Sequence, residues 1–132
     1  MSWTLGGLQK LIDTRRGWEV DSIDSGTLII NNKEDSLIAY LSISEHQIVI
    51  ESILFPERNV KDVNALNKEI LQTHKLIPLT NVGINNVDEM SYYTAFGSLS
   101  SQAKEESVII EVATLFTNAE AFIDMYNHHL EY

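Results

Sequence analysis

Two neighbouring runs constrain this chain more than any other feature: LIAYLSIS, Leu37 to Ser44, and QIVIESILF, Gln47 to Phe55. Both are rich in β-branched and large apolar residues and too short for independent helices. Only Glu45 and His46 separate them, which predicts an antiparallel pair of strands. Leu37, Ala39, Leu41 and Ile43 alternate with Ile38 and Tyr40, and Ile48 and Ile50 with Val49 and Ile53, so both faces of this pair are apolar. Helices can cover one face. The second needs another cover, and the expected one is a second copy of the chain or a client segment, the alternative being a long C-terminal helix wrapped over it.

The flanking patterns supply the rest of the architecture. Leu5, Leu8, Leu11 and Ile12 recur at helical spacing after Thr4, and Arg15, Arg16 and Gly17 suit a helix end. Trp18 and Val20, then Leu28 and Ile30, alternate around Ser25-Gly26 as a hairpin. Pro56 halts the fourth strand because it has no N–H to donate, and a second helix is expected to begin near Asn59, with Asp62 in its first turn. His74 and Lys75 fall in the last turn of that helix, where cations complement exposed carbonyls. Pro78 then pushes Ile77 toward an extended conformation and opens a strand from Leu79 to Ile84.

Asn85-Asn86 reads as the next turn, and Tyr92, Thr94 and Phe96 interleave with Tyr93, Ala95 and Leu99 in a sixth strand. From Ser101 onward, Val108, Val112, Leu115, Phe116, Ala119, Phe122, Ile123 and Tyr126 make one long helix, or two broken near Thr117-Asn118. The prediction is an α+β domain spanning residues 1–132: an antiparallel sheet of five or six strands, with helices at the N-terminus, in the middle and at the C-terminus. At 132 residues and 44% hydrophobic the chain can bury roughly two-thirds of its unfolded surface, so it needs no staples.

Composition removes several function classes. With no cysteine, disulfides, zinc-thiolate sites and thiol nucleophiles are excluded together, and a cytoplasmic location is expected. No stretch approaches the roughly 18 to 20 apolar residues of a membrane span, and the start MSWTLGGLQK lacks a basic-then-apolar leader, so no direct membrane insertion is expected. The net charge of -10 disfavours nucleic acid as a partner and leaves acidic regions that suit a basic or amphipathic protein.

Catalytic signatures are not met. DSIDSG at Asp21–Gly26 resembles a calcium loop, but Ile23 occupies a ligand position and Asn32 stands where the bidentate glutamate belongs. Gly6-Gly7 lies in or beside a helix, without the lysine of a phosphate loop, and Ser98 lacks the flanking glycines of a nucleophile elbow. His128 and His129 are adjacent, point about 100° apart on a helix and could not grip one ion without a third element. They read as a solvated helix end, with Glu131 near enough for an adventitious surface site. Asp88-Glu89 suits a turn, and Glu105-Glu106 suits a helix's first turn. No cofactor, metal or catalytic residue is therefore assigned. Tyr92, Tyr93 and Phe96 are the candidate partner-binding residues, since clustered tyrosines suit protein interfaces as well as cores.

The start MSWTL, the central LFPERNVKDVNALNKEILQTHKLIPLTNVGI and the later YYTAFGSLSS together resemble the YjfI-like family of small bacterial proteins over nearly the whole length. The T-H-K-x-x-P-L run at Thr73–Leu79 and the F-G-S-L-S run at Phe96–Ser100 carry most of that resemblance. The family is uncharacterised, so the resemblance implies no catalytic residue. It implies a helper role, since members are sometimes encoded near membrane-stress proteins similar to phage shock protein A. The element order also resembles that of type III secretion chaperones, which are small, acidic and dimeric, although four strands precede the second helix here where those chaperones usually have three. The expectation is a non-enzymatic, homodimeric, protein-binding or chaperone-like protein with a possible link to envelope stress. Its rival is a small enzyme or ligand-binding domain with a pocket near Tyr92, Tyr93 and His74.

Overall fold

The computed structural model describes residues 2–131. Its elements are α1 (Leu5–Asp13), β1 (Trp18–Ser22), β2 (Thr27–Asn32), β3 (Leu37–Ile43), β4 (Gln47–Pro56), α2 (Val63–Thr73), β5 (Asn81–Val87), β6 (Met90–Ser100) and α3 (Glu105–Tyr126). Short 3-10 turns occupy Glu57–Asn59, His74–Leu76 and Asn127–His129. The six strands form one antiparallel sheet in the order β1-β2-β3-β4-β6-β5, which leaves β1 and β5 as its edges. The α+β architecture is the expected one, and all four strands ahead of α2 are present.

Register explains how the sheet acquires two different faces. Ser22, Leu28, Leu41, Ile50 and Gly97 form one rung, and Val20, Ile30 and Ala39 lie on the same side. Leu28, Ile30, Ala39, Leu41 and Ile50 are fully buried there, in one core with Leu8 and Ile12 of α1 and Val112, Phe116 and Phe122 of α3. Burying these side chains is the main drive for folding, at about 1.5–3 kcal/mol for each large one. Trp18 joins the layers at the sheet's edge: its ring centroid lies 5.7 Å from that of Phe116, and the Arg15 guanidinium sits over the Trp18 ring at 5.2 Å from the centroid. Gly97 has a packing reason to be glycine. A Cβ there would meet the Leu79 carbonyl oxygen at 3.2 Å and the Glu111 carboxyl carbon at 3.3 Å, so α3 passes close over β6.

α3 is one uninterrupted helix, and it lies on the same side of the sheet as α1. Of the two readings of this segment, the single long helix is the one found, and Asn118 is buried within it with work outside the helix: its Nδ2 donates to Pro78 O and to Thr80 Oγ1, each at 2.8 Å. Glu105 and Glu106 occupy the first turn of α3 as expected.

Other boundaries differ from the sequence reading for local reasons. α2 begins four residues beyond Asn59, because Asp62 is its N-cap and accepts from Ala65 N at 3.1 Å, while Asn59 closes a 3-10 turn. Pro56 does not stop the ladder before its own position; it is the last residue of β4 and pairs with Tyr92. Ile77 is extended as the following proline dictates, but Leu79 has φ 73°, which delays β5 to Asn81. Asn85 and Asn86 belong to β5, and the turn falls at Asp88 and Glu89, whose φ values of 50° and 67° match a two-residue hairpin with left-handed central residues.

Candidate protein-binding face

The opposite face of the sheet has a rung of its own: Asp21, Ile29, Tyr40, Glu51, Phe96 and Asn81, one residue from each strand. Pleating places Ile38, Val49, Ile53, Tyr92 and Val87 on this same side. The helices all lie on the other side: α1 and α3 pack on the inner face, and α2 meets Tyr93, Val82 and Ile84 there. Ile38 and Ile53 are each 40% exposed, and Val87 is 45% exposed. Two shallow depressions meet at Tyr40 and Ile53: one of about 340 Å³ reaches Val87, Thr94 and Glu51, and one of about 230 Å³ reaches Ile38. The apolar surface is therefore continuous from Ile38 to Val87.

Glu51 is the residue on this face that sequence patterning overlooked. Its carboxylate stands half-buried between Tyr40 and Phe96 and accepts a hydrogen bond from Asn85 Nδ2 on β5. A carboxylate among apolar side chains is a natural partner for an incoming cation or N–H donor. Nothing in the alternation marked it, because a single polar residue in an apolar run looks like an ordinary solvent-facing position.

The three aromatic candidates divide between the faces. Phe96 and Tyr92 are half-buried on the open side, where the Phe96 ring leans over Gly83 so closely that a Cβ there would lie 3.1 Å from Cε1. Tyr93 is 1% exposed and faces the helices, so it belongs to the core and not to an accessible surface. Its hydroxyl donates to Asn67 Oδ1 at 2.6 Å, its ring packs 5.2 Å from that of Phe55, and burial, with the Glu57 charge second, raises its pKa.

His74 lies elsewhere again. It follows α2 and accepts from Val82 N at 3.2 Å through Nδ1, covering a main-chain donor of the edge strand β5. A cleft of about 290 Å³ does open between α2 and β5, bounded by Asn67, Leu71, Val82, Ile84 and Tyr93, but it takes in neither Tyr92 nor His74. This cleft does not bring together the three residues of the rival reading, Tyr92, Tyr93 and His74.

Two further ionisable groupings sit on the helical side. Glu111, 6% exposed on α3, borders a shallow depression with Leu79, Leu99 and Ile110, and burial raises its pKa. At the C-terminal end, His128 Nε2 and His129 Nε2 lie 3.5 Å and 3.2 Å from Glu69 Oε1 of α2. His128 is solvated as the sequence suggested, with 63% of its side chain exposed, but His129 is not, at 15%. The third element is Glu69, not Glu131. Residues fifty-nine or more positions apart carry no local spacing signal, so only the tertiary fold brings them together.

A family model for uncharacterised proteins conserved in bacteria, DUF2170, matches residues 3–130. The chain is 27% identical over 121 residues to the uncharacterised protein YjfI of Escherichia coli K12, covering 90% of this chain and 91% of the relative, and YjfI of Escherichia coli O157:H7 gives the same figures. Among solved structures, it is similar to YbjN of E. coli, described as a candidate transcription regulator, with a TM-score of 0.78 and 13% identity over 97% of this chain and 94% of that one. It is also similar to a chain of the HopA1–SchA chaperone–effector complex, with a TM-score of 0.64 and 15% identity over 89% of this chain and 90% of the other. At those identities the likeness is one of fold. The family model spans almost the whole chain, its resemblance to YjfI is borne out, and the protein belongs to the DUF2170 family of bacterial proteins.

Proposed function

We propose that this chain is a non-enzymatic, chaperone-like protein that holds a segment of another protein against its open sheet face. The observation that carries the reading is the continuous apolar surface from Ile38 through Tyr40 and Ile53 to Val87, with the Glu51 carboxylate set into it. The chemistry of that face selects its occupant. Apolar side chains would fill the depressions, and a lysine or arginine would meet Glu51, in keeping with a net charge of -10 that favours basic segments. The likeness of fold to a chain of a chaperone–effector complex supports the same reading. Tyr92 and Phe96 contribute to the surface, and Tyr93 supports it from beneath. The separation of Tyr92, Tyr93 and His74 weighs against the enzyme alternative. A cytoplasmic setting, and a helper role in envelope stress, complete the proposal.

A homodimer closing over this face is the second reading, favoured by the same exposed Ile38 and Ile53. Self-association through a two-fold axis would bring acidic surfaces together, including Glu51 against its copy, which favours a client of opposite charge. The test is affinity capture from the native cell at ordinary salt, using the wild type, Ile53→Asp and Leu71→Ser, with light scattering to give the mass of each purified protein. A client-bearing face predicts a protein captured by the wild type and by Leu71→Ser, whose site is 74% exposed on α2, and lost with Ile53→Asp. Cross-links from the client should fall on β3, β4 and β6. Capture that survives Ile53→Asp overturns the reading, and a mass that halves with Ile53→Asp moves it to the homodimer.

A further inference from the structure

We propose that Glu69, His128 and His129 form a binding site for a divalent transition ion of the zinc class. Among the described residues, this is the one place where three potential metal-ligating side chains bring their donor atoms within 4.8 Å of one another. A tetrahedral ion bound to nitrogen and oxygen at about 2.0–2.1 Å sets its ligand atoms about 3.3–3.4 Å apart. The two edges that meet at Glu69 Oε1, 3.5 Å and 3.2 Å, are already near that length. The two imidazole rings lie side by side, with centroids 4.3 Å apart and planes inclined at 41°.

A second observation points the same way. His129 Nε2 is buried and has no hydrogen-bond partner, although the Glu69 carboxylate is beside it. Whether that nitrogen carries its proton or its lone pair, both point along one line from the ring, and at 3.2 Å from Glu69 Oε1 it closes no hydrogen bond. An ion between the two satisfies both, since each presents a lone pair to the same positive charge.

The scaffold around the cluster is fixed from both sides. Thr73 Oγ1 donates to the Glu69 carbonyl oxygen at 2.6 Å and meets the Tyr126 hydroxyl at 2.9 Å, which joins the end of α2 to the end of α3. Beyond the histidines, Lys61 N donates to His129 O at 2.9 Å and Glu131 N to Asn59 O at 2.7 Å, so the last turn is laced to the segment leading into α2. Two imidazoles and one carboxylate suit Zn2+, Co2+ or Ni2+ better than Ca2+ or Mg2+, which prefer all-oxygen shells. The exposed side of His128 leaves a fourth position for water. The ion would pin the C-terminal turn to α2, on the side of the sheet away from the open face.

The experiment is titration of the full-length, chelator-treated protein with Zn2+ by calorimetry, and with Co2+ by visible absorption. One ion per chain is expected, together with the intense visible bands of low-coordinate Co2+ and a rise in Tm with Zn2+. Glu69→Gln and His128→Ala should each weaken Zn2+ binding by at least about tenfold and abolish the Co2+ bands, while His46→Ala, at a remote exposed histidine, should leave both unchanged. Both test variants alter partly exposed side chains, and circular dichroism checks that they fold. Zn2+ binding that is equal in wild type and Glu69→Gln, or lost with His46→Ala, overturns the proposal, as does the lack of any saturable binding by the wild type.

Discussion

Replacing Ile50 and Ile53 by alanine, one at a time, compares the same chemistry on the two faces of one strand. Ile50 is fully buried beneath the helices, and Ile53 is 40% exposed on the open side. Isoleucine to alanine removes three carbons, worth about 0.8 kcal/mol each when fully buried, or roughly 2.4 kcal/mol at Ile50. A residual cavity of about 60 Å³ adds roughly 1.5 kcal/mol, for a total near 4 kcal/mol. At Ile53 about three-fifths of the transfer term applies, and water fills the vacated space, so the expected loss is about 1.4 kcal/mol.

Urea unfolding followed by circular dichroism separates these values readily. With a slope of about 1.5 kcal/mol/M, the midpoint should fall by roughly 2.6 M for Ile50→Ala and by roughly 0.9 M for Ile53→Ala. Equal shifts would refute the assignment of the two faces. A large Ile53→Ala shift that grows with protein concentration would place a second copy over the open side.

Two further outcomes follow from individual side chains. Burial raises the Glu111 pKa, so the folded chain holds that proton more tightly than the unfolded one; its contribution to stability is complete below the ordinary carboxylate range and is lost as pH rises through the raised value. Glu111→Gln should therefore be more stable than the wild type at neutral pH and lose less stability from about pH 4 to about pH 8, in urea midpoints across that range; an unchanged slope would contradict the burial argument. Asp62→Ala should cost about 1 kcal/mol and Asn59→Ala under about 0.5 kcal/mol in the same assay, since only Asp62 caps α2; the reverse order would restore the helix start at Asn59.

The strands and helices were legible because their signals are local. Alternation around Ile38–Tyr40 and Ile48–Ile50 marked β3 and β4, and the three-four spacing of Val108, Val112 and Leu115 marked α3. Where several local signals competed, tertiary contacts decided. Thr117-Asn118 left one helix or two open, and the Asn118 amide, inside a single helix, satisfies Pro78 and Thr80; Asn85-Asn86 looked like a turn, yet the chain turns at the following acidic pair. The apolar open face was legible as a packing problem without a visible cover. Its polar centre at Glu51 and the meeting of Glu69 with His129 were not, because both depend on which distant strand or helix arrives alongside.

The margins of the sheet also limit how this molecule can associate. β1 is five residues long and carries Glu19 and Asp21, while β5 presents Asn81 and Asn85 and has the main-chain N–H of Val82 occupied by His74. Acidic, short or occupied edges are poor templates for an added strand. The exposed apolar side chains and the unpaired backbone of the sheet are thus separated: Ile38, Ile53 and Val87 lie on the broad face, and edge-to-edge fibre growth is disfavoured along the margins.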